Sequence, residues 1–295
     1  MNISRKNKIR RIPSQRIIFA IAFAFLIIYS AFILYHFYFL MQLATKGSSP
    51  EFTASLLDNT LATWSDNFTL SNFTMAFSKF TIEKQSFFML VFNSLWYSIG
   101  SMVISLFFEC CATYVVCKYK FKGSALIYNV VILRLMLPIV GALPSAYRIY
   151  KMCGFVNSPL ILVTACDALG GNFLILYAFF KGISWEYAEA AFIDGANHFD
   201  VFFRIMLRMA MPAISVLFIT GFIGCWNEYM SISVFMPKLP TLSYSLYVYE
   251  QNMKYLGNQP VYFAGVFLAA LPCIAMFLIF QNSIMQTVHL GGLKG

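Results

Sequence analysis

The chain has 295 residues, 60% of them hydrophobic and only 11% charged, with a formal net charge of +9. A soluble globular chain carries about 25% charged residues, and here the charges sit between long apolar runs, so a water-soluble domain is excluded and an all-α, polytopic membrane protein is expected. The positive charge does not indicate nucleic acid, because no basic patch interleaves with aromatic residues on a soluble stretch.

Residues 1–16 form a basic tail with Arg5, Lys6, Lys8, Arg10, Arg11 and Arg16 directly before the first apolar run, the pattern of a cytoplasmic juxtamembrane segment. That run, Ile17 to Leu40, is longer than a signal-peptide core and no small-residue cleavage site follows it cleanly, so it reads as a retained anchor. With the long polar outer loop at about 41–87 it makes up a first unit, 17–87. The loop is a candidate cap or partner surface. It carries two glycosylation-type triplets, at Asn67 and Asn72, of a kind frequent by chance.

Five more spans follow in a core at 88–290: Phe88–Val116, Ala125–Ser145, Pro159–Phe180, Ala213–Phe235 and Val261–Met285. Each is long enough for a spanning helix of about 20 residues. Pro138 and Pro144 predict a kink or break in the third span. Lys118, Lys120 and Lys122 crowd one short loop, Lys181, Arg204 and Arg208 lie on another, and Lys294 is in the glycine-rich tail 291–295. Basic residues are sparser on the opposite side, so both termini are expected in the cytoplasm.

The seven cysteines form no C-x-x-C pair and have no histidine cluster beside them, so they read as small apolar packing residues and no metal site is expected. Ionisable groups inside spans are costly and mark function or register. Glu109 lies about 10–12 Å and Arg134 about 14 Å from the inner ends of their spans. They are expected to form an intramembrane ion pair, unless Arg134 uses Asp167 instead, and a role in fixing register is read over one in transport. Asn172, Trp226, Asn227 and Glu228 combine an aromatic ring with amide and carboxylate groups, a set suited to the flat faces and hydroxyls of sugars. They are candidates for the substrate pathway, beside the plainer reading of helix–helix hydrogen bonding. Tyr147 and Tyr150 read as membrane-interface aromatics.

The inner loop 181–212 reads as two short helices. Ser184 can cap the first, with Glu186 at its positive end. Asp194-Gly195 breaks it, and Asn197 caps the second. Glu189 offers a charge, and the small Ala190 and Ala191 let another surface approach. From the residues alone, an amphipathic helix lying on lipid stands beside a protein-docking elbow.

The order Glu189-Ala190-Ala191-x-x-Asp194-Gly195-Ala196, then Ile205-x-Leu207 and Pro212, resembles the EAA coupling loop of permease subunits of binding-protein-dependent ATP-driven (ABC) importers, and it stands before the penultimate span as in that family. The family pattern has a proline directly after I-x-L where this chain has Arg208. Asn93-Ser94-Leu95, the stretch Phe68 to Phe73, Trp226-Asn227-Glu228-Tyr229 and the ending Gly291-Gly292-Leu293-Lys294-Gly295 are similar to the maltose-type carbohydrate branch. The resemblance implies a fold of six transmembrane helices in an ABC importer permease core, located in the cell membrane. It implies coupling through Glu189, Ala190, Ala191, Asp194, Gly195 and Ala196. It implies four kinds of partner: a second homologous permease subunit, a cytoplasmic ATPase dimer, an extracellular solute-binding protein and a carbohydrate. The chain has no G-x-x-x-x-G-K-[ST] phosphate loop, so it is expected to be no enzyme and to bind no cofactor itself, with ATP and Mg used by the ATPase. The rival readings are a self-contained secondary transporter, a permease for a non-sugar solute, and a non-transporting membrane subunit.

Overall fold

The computed structural model describes residues 13–47, 49–58, 60, 68–119, 121–137, 141–252 and 258–291. The basic residues before Pro13, and Pro138, Asn67 and Lys294, lie outside them. Among the described residues the chain is almost wholly helical: α1 (Pro13–Ala44), α2 (Ser49–Leu57), α3 (Ser71–Lys79), α4 (Phe87–Lys118), α5 (Ser124–Met136), α6 (Leu143–Met152), a 3-10 turn (Pro159–Ala165), α7 (Phe173–Gly182), α8 (Glu186–Ile193), α9 (His198–Asn227), α10 (Met230–Phe235), α11 (Leu242–Gln251) and α12 (Gln259–Gly291).

Among the described residues four helices are long and apolar enough to cross a membrane: Ile17–Ala44 within α1, α4, α9, and Gln259–Gln281 within α12. The first, second and last match expected spans closely. The fifth ends early. Helical backbone stops at Asn227, Glu228 is extended (φ −71°, ψ 116°), and α10 follows as a separate short piece. The expected spans three and four are each broken. α5 has 13 residues, about 20 Å of helix against a hydrocarbon thickness of about 30 Å, and Pro144 sits in the first turn of α6, which starts anew after Gly141. In the fourth, Ser158 Oγ accepts from Leu160 N (3.2 Å) and starts a 3-10 turn with Pro159 in its first turn. Residues 166–172 are then non-helical, and α7 begins only after the weak helix former pair Gly170-Gly171.

The core lies where α4, α7, α9 and α12 meet, with Leu90, Leu176, Phe180, Phe222 and Trp226 buried. α1 leans chiefly on α12, with Phe37 and Phe267 5.1 Å apart between ring centres, and much of its surface is exposed apolar side chain, which a hydrocarbon surround satisfies. α2 and α3 pack on the N-terminal part of α12. Asn72, fully buried, donates from Nδ2 to the carbonyls of Ala44 (2.9 Å) and Lys46 (2.7 Å), so its triplet is a structural staple and not an open acceptor. Near the N-terminal end of α4, Asn93 donates to the Pro240 carbonyl (2.9 Å) and Ser94 accepts from Leu242 N (2.8 Å), fixing α11. Tyr147 and Tyr150 are not free interface aromatics. They pack on Phe235, with ring centres 6.4 and 5.0 Å away.

Candidate functional site

Two places gather the residues singled out above: the elbow after α7, and a polar cluster where the C-terminal half of α4 and the last turn of α5 meet the broken fourth span.

At the elbow, Glu186 N donates to Ser184 Oγ (3.3 Å) at the start of α8. The helix ends in a Schellman turn, with Gly195 N bonded to Phe192 O (3.0 Å) and Ala196 N to Ala191 O (2.9 Å). Gly195 has φ +84°, a left-handed conformation that glycine adopts without a Cβ penalty. Asn197 Oδ1 accepts from Asp200 N (2.9 Å) and starts α9. The second half of the loop is not a separate helix. From His198 the chain winds through a π-type stretch, Val201–Met206, straight into the long apolar segment, so the elbow is rigidly joined to a membrane-length rod.

Glu189, Ala190, Asp194 and Gly195 face outward and Ala196 is half-buried. Ala191 is 9% exposed and belongs to the core, which corrects its expected place on the open face: its small side chain lets α8 sit close on its own chain. Unforeseen from sequence, Ile193 and Phe199 flank the turn at 86% and 75% exposure. Asp194, Gly195, Asp200 and Arg204 are among the residues around a cavity of about 390 Å³ beside the turn, and Arg204 Nε is 3.2 Å from Asp200 Oδ1.

The C-terminal end of α4 is built into this elbow. Tyr119 packs on Trp185 (ring centres 5.9 Å apart), its hydroxyl lies 2.8 Å from His198 Nδ1, and Trp185 and Phe192 complete the ring cluster. Lys118 Nζ donates to Ile183 O (2.5 Å). No local pattern signals this cluster, because Tyr119 and His198 are 79 positions apart.

In the polar cluster the expected Glu109–Arg134 pair is not formed. Arg134 makes a forked pair with Asp167, Nη1–Oδ1 2.7 Å and Nη2–Oδ2 2.5 Å, and Nη1 also donates to Leu169 O (2.9 Å). Glu109, 1% exposed, accepts from Asn172 N (3.1 Å) and Asn172 Nδ2 (3.0 Å). The break at 166–172 is the reason. It frees a carbonyl and an N–H that a continuous helix would pair internally, and the two charged side chains take those positions. Gly170 belongs to the same fit, since a Cβ there would collide with Glu109 Oε1.

The other pathway candidates separate. Trp226 is 2% exposed and donates Nε1 to Ala269 O (3.0 Å), so it joins α9 to α12. Glu228 accepts from Ser231 N (2.9 Å) and caps α10. Asn227 is exposed at the end of α9, bonded only to Ile223 O of its own helix (3.0 Å) among the described residues. Asn172 makes no hydrogen bond to any of these three among the described residues and pairs with Glu109 instead. Beside them a Tyr229–Tyr247 stack, 4.5 Å between ring centres, offers a flat aromatic face that sequence reading passed over.

Residues 88–285 match the family described as binding-protein-dependent transport system inner membrane component. The diacetylchitobiose uptake system permease protein NgcG of Streptomyces coelicolor is 26% identical over 287 residues, covering 94% of this chain and 90% of its own. The probable ABC transporter permease protein YurM of Bacillus subtilis is 30% identical over 207 residues, covering 69% and 68%. In three dimensions the chain resembles a bacterial ABC transporter involved in the import of the acidic polysaccharide alginate, with TM-score 0.72 and 18% identity over 93% of this chain and 99% of that one; the likeness is one of fold.

Proposed function

Because the chain belongs to the family of binding-protein-dependent transport system inner membrane components, we propose that it is the membrane-spanning permease subunit of an ATP-driven importer that passes a carbohydrate handed over by an extracellular solute-binding protein. The relatives' own names supply the solute class: an uptake system for diacetylchitobiose, and transport systems for arabinooligosaccharides and galactooligosaccharides. The observation that carries the motor half of the reading is the elbow. An outward-facing acid and small residues sit on a Schellman turn, and the turn is welded to a 30-residue apolar helix and to the inner end of α4.

In this scheme the polypeptide crosses the membrane six times, with the two broken spans completed by their neighbours, and both termini lie in the cytoplasm. Glu189, Ala190, Asp194, Gly195 and Ala196 enter a surface cleft of a cytoplasmic ATPase dimer, with Ile193 and Phe199 as apolar anchors. ATP and Mg are used there, and a second homologous permease completes the channel. Movement of the gripped elbow tilts α9 and α4 together, so the permease acts as a two-state element biased from both sides of the membrane.

The deciding experiment is purification of the chain from its native membrane, followed by reconstitution with the copurifying subunits and the solute-binding protein. An ATPase should copurify, and sugar uptake should require ATP. Uptake driven by an ion gradient with no ATPase present would establish the secondary-transporter alternative instead.

A further inference from the structure

The Arg134–Asp167 pair sits at a depth and an exposure that do not fit together in lipid. Arg134 lies about 15 Å along α5 from its first residue, Ser124, at about 1.5 Å per residue, near the middle of a hydrocarbon layer about 30 Å thick. Yet the two side chains are 46% and 39% exposed. The neighbouring backbone is irregular at the same level, with Cys166 and Gly171 exposed in the break. Hydrocarbon cannot solvate a guanidinium, a carboxylate or unwound peptide groups, and non-helical backbone at membrane depth persists only where protein or a water-filled cavity covers it.

The hydrogen-bond inventory separates those two covers. Three hydrogen bonds use three N–H groups of Arg134, so Nε–H and one Nη2–H have no partner among the described residues. A dry apolar contact with a second permease would bury those donors unpaired, at a cost. Water, or a solute rich in hydroxyl groups, satisfies them. The buried half of the cluster, Glu109 with Asn172, is fully engaged and holds the break in place from behind.

We infer that the break at 166–172 and the Arg134–Asp167 pair form a water-facing wall of the solute pathway at half membrane depth, offering two guanidinium N–H groups and a carboxylate to the hydroxyl groups of a passing sugar. This rests on the transport reading above. It makes Arg134 and Asp167 solute-contacting residues and leaves Glu109 and Asn172 as the groups that position them.

The native Cys166 thiol, exposed beside Asp167, is the reporter. Native membranes containing all subunits are treated with 2-sulfonatoethyl methanethiosulfonate, an anionic reagent that attacks thiolates in water. The signal is the labelling lost on Cys166→Ala. A lipid-side reference is Ile27→Cys on α1, which is exposed on an apolar surface. Cys166 should react at least about tenfold faster than the reference, because thiolate forms only where water reaches, and its rate should change between nucleotide-free and nucleotide-trapped membranes. A Cys166 that stays as silent as Ile27→Cys in every nucleotide state faces lipid or a partner, and the wall is refuted. Copurification of an ATPase is scored separately, so loss of the wall and loss of the transport reading give different results.

Discussion

The hydroxyl of Tyr119, one residue past the end of α4, lies 2.8 Å from Nδ1 of His198, the first residue of α9. Through this contact and the Trp185 and Phe192 rings, the elbow holds two membrane-length helices and not one. A partner that pulls on the turn therefore moves both. Tyr119→Phe removes a single hydrogen bond worth about 1 kcal/mol and keeps the ring packing. His198→Ala removes the bond and the ring contact with Phe192. Both chains should still capture an ATPase, while sugar transported per ATP hydrolysed falls several-fold for His198→Ala and less for Tyr119→Phe. Equal coupling ratios in wild type and His198→Ala, measured in proteoliposomes, would remove the clamp from the mechanism.

Gly195 has φ +84°, and a Cβ added there would meet nothing within 4 Å. The effect of substitution is therefore one of backbone alone. Gly195→Ala should cost about 1–2 kcal/mol from the left-handed conformation, and Gly195→Asn less, since asparagine tolerates that region. ATPase capture should rank wild type, Asn, Ala. A ranking that followed side-chain size, with Ala above Asn, would mean that the partner's surface and not the turn sets the requirement.

Gly170 and Glu109 make a steric pair inside the membrane. Gly170→Ala drives a methyl group into the Glu109 carboxylate. Glu109→Ala relieves that clash but strips the Asn172 N–H and side-chain amide of their acceptor, a loss of about 1–3 kcal/mol for a buried group left unpaired. The double variant should be markedly more stable than the sum of the two single losses, because the clash is gone. Thermal unfolding in detergent of the four chains measures the coupling, and strict additivity would contradict the contact.

What could be read from sequence divides along physical lines. Runs of apolar residues set α1, α4 and α12, because composition and length alone decide whether a helix suits lipid. The elbow's caps at Ser184, Asn197 and Gly195 were legible, since each acts within three residues of chain. The breaks were only half legible. Pro144 announced one, but the second depends on Arg134 and Glu109 reaching residues 169 and 172 from other helices, and no local pattern encodes that. The same long reach bears on Trp226: a sugar contact and helix–helix hydrogen bonding both fitted its motif, and its indole N–H bonds the Ala269 carbonyl, 43 positions away. Ala191 went astray for a simpler reason: a small residue serves close approach equally well on either face of a helix, and here that face is inward.

Arg134 and Asp167 differ in what each leaves behind when removed, and that difference is testable. Arg134 serves two acceptors, the Asp167 carboxylate and the Leu169 carbonyl, so Arg134→Ala abandons both an anion and a broken-helix carbonyl. Asp167→Asn keeps an acceptor oxygen for the guanidinium and leaves the Leu169 bond intact. The first should reduce assembled complex severely and the second mildly. The exchanged pair Arg134→Asp with Asp167→Arg restores opposite charge but aims the fork away from Leu169, so recovery should be incomplete. Were charge balance all that mattered, the exchange would restore assembly fully and Asp167→Asn would be as damaging as Arg134→Ala. Yield of complex on a tagged partner subunit separates the two accounts. The ordering expected here, with Arg134→Ala worst, the exchange intermediate and Asp167→Asn mildest, follows from the backbone carbonyl that only an arginine at position 134 satisfies.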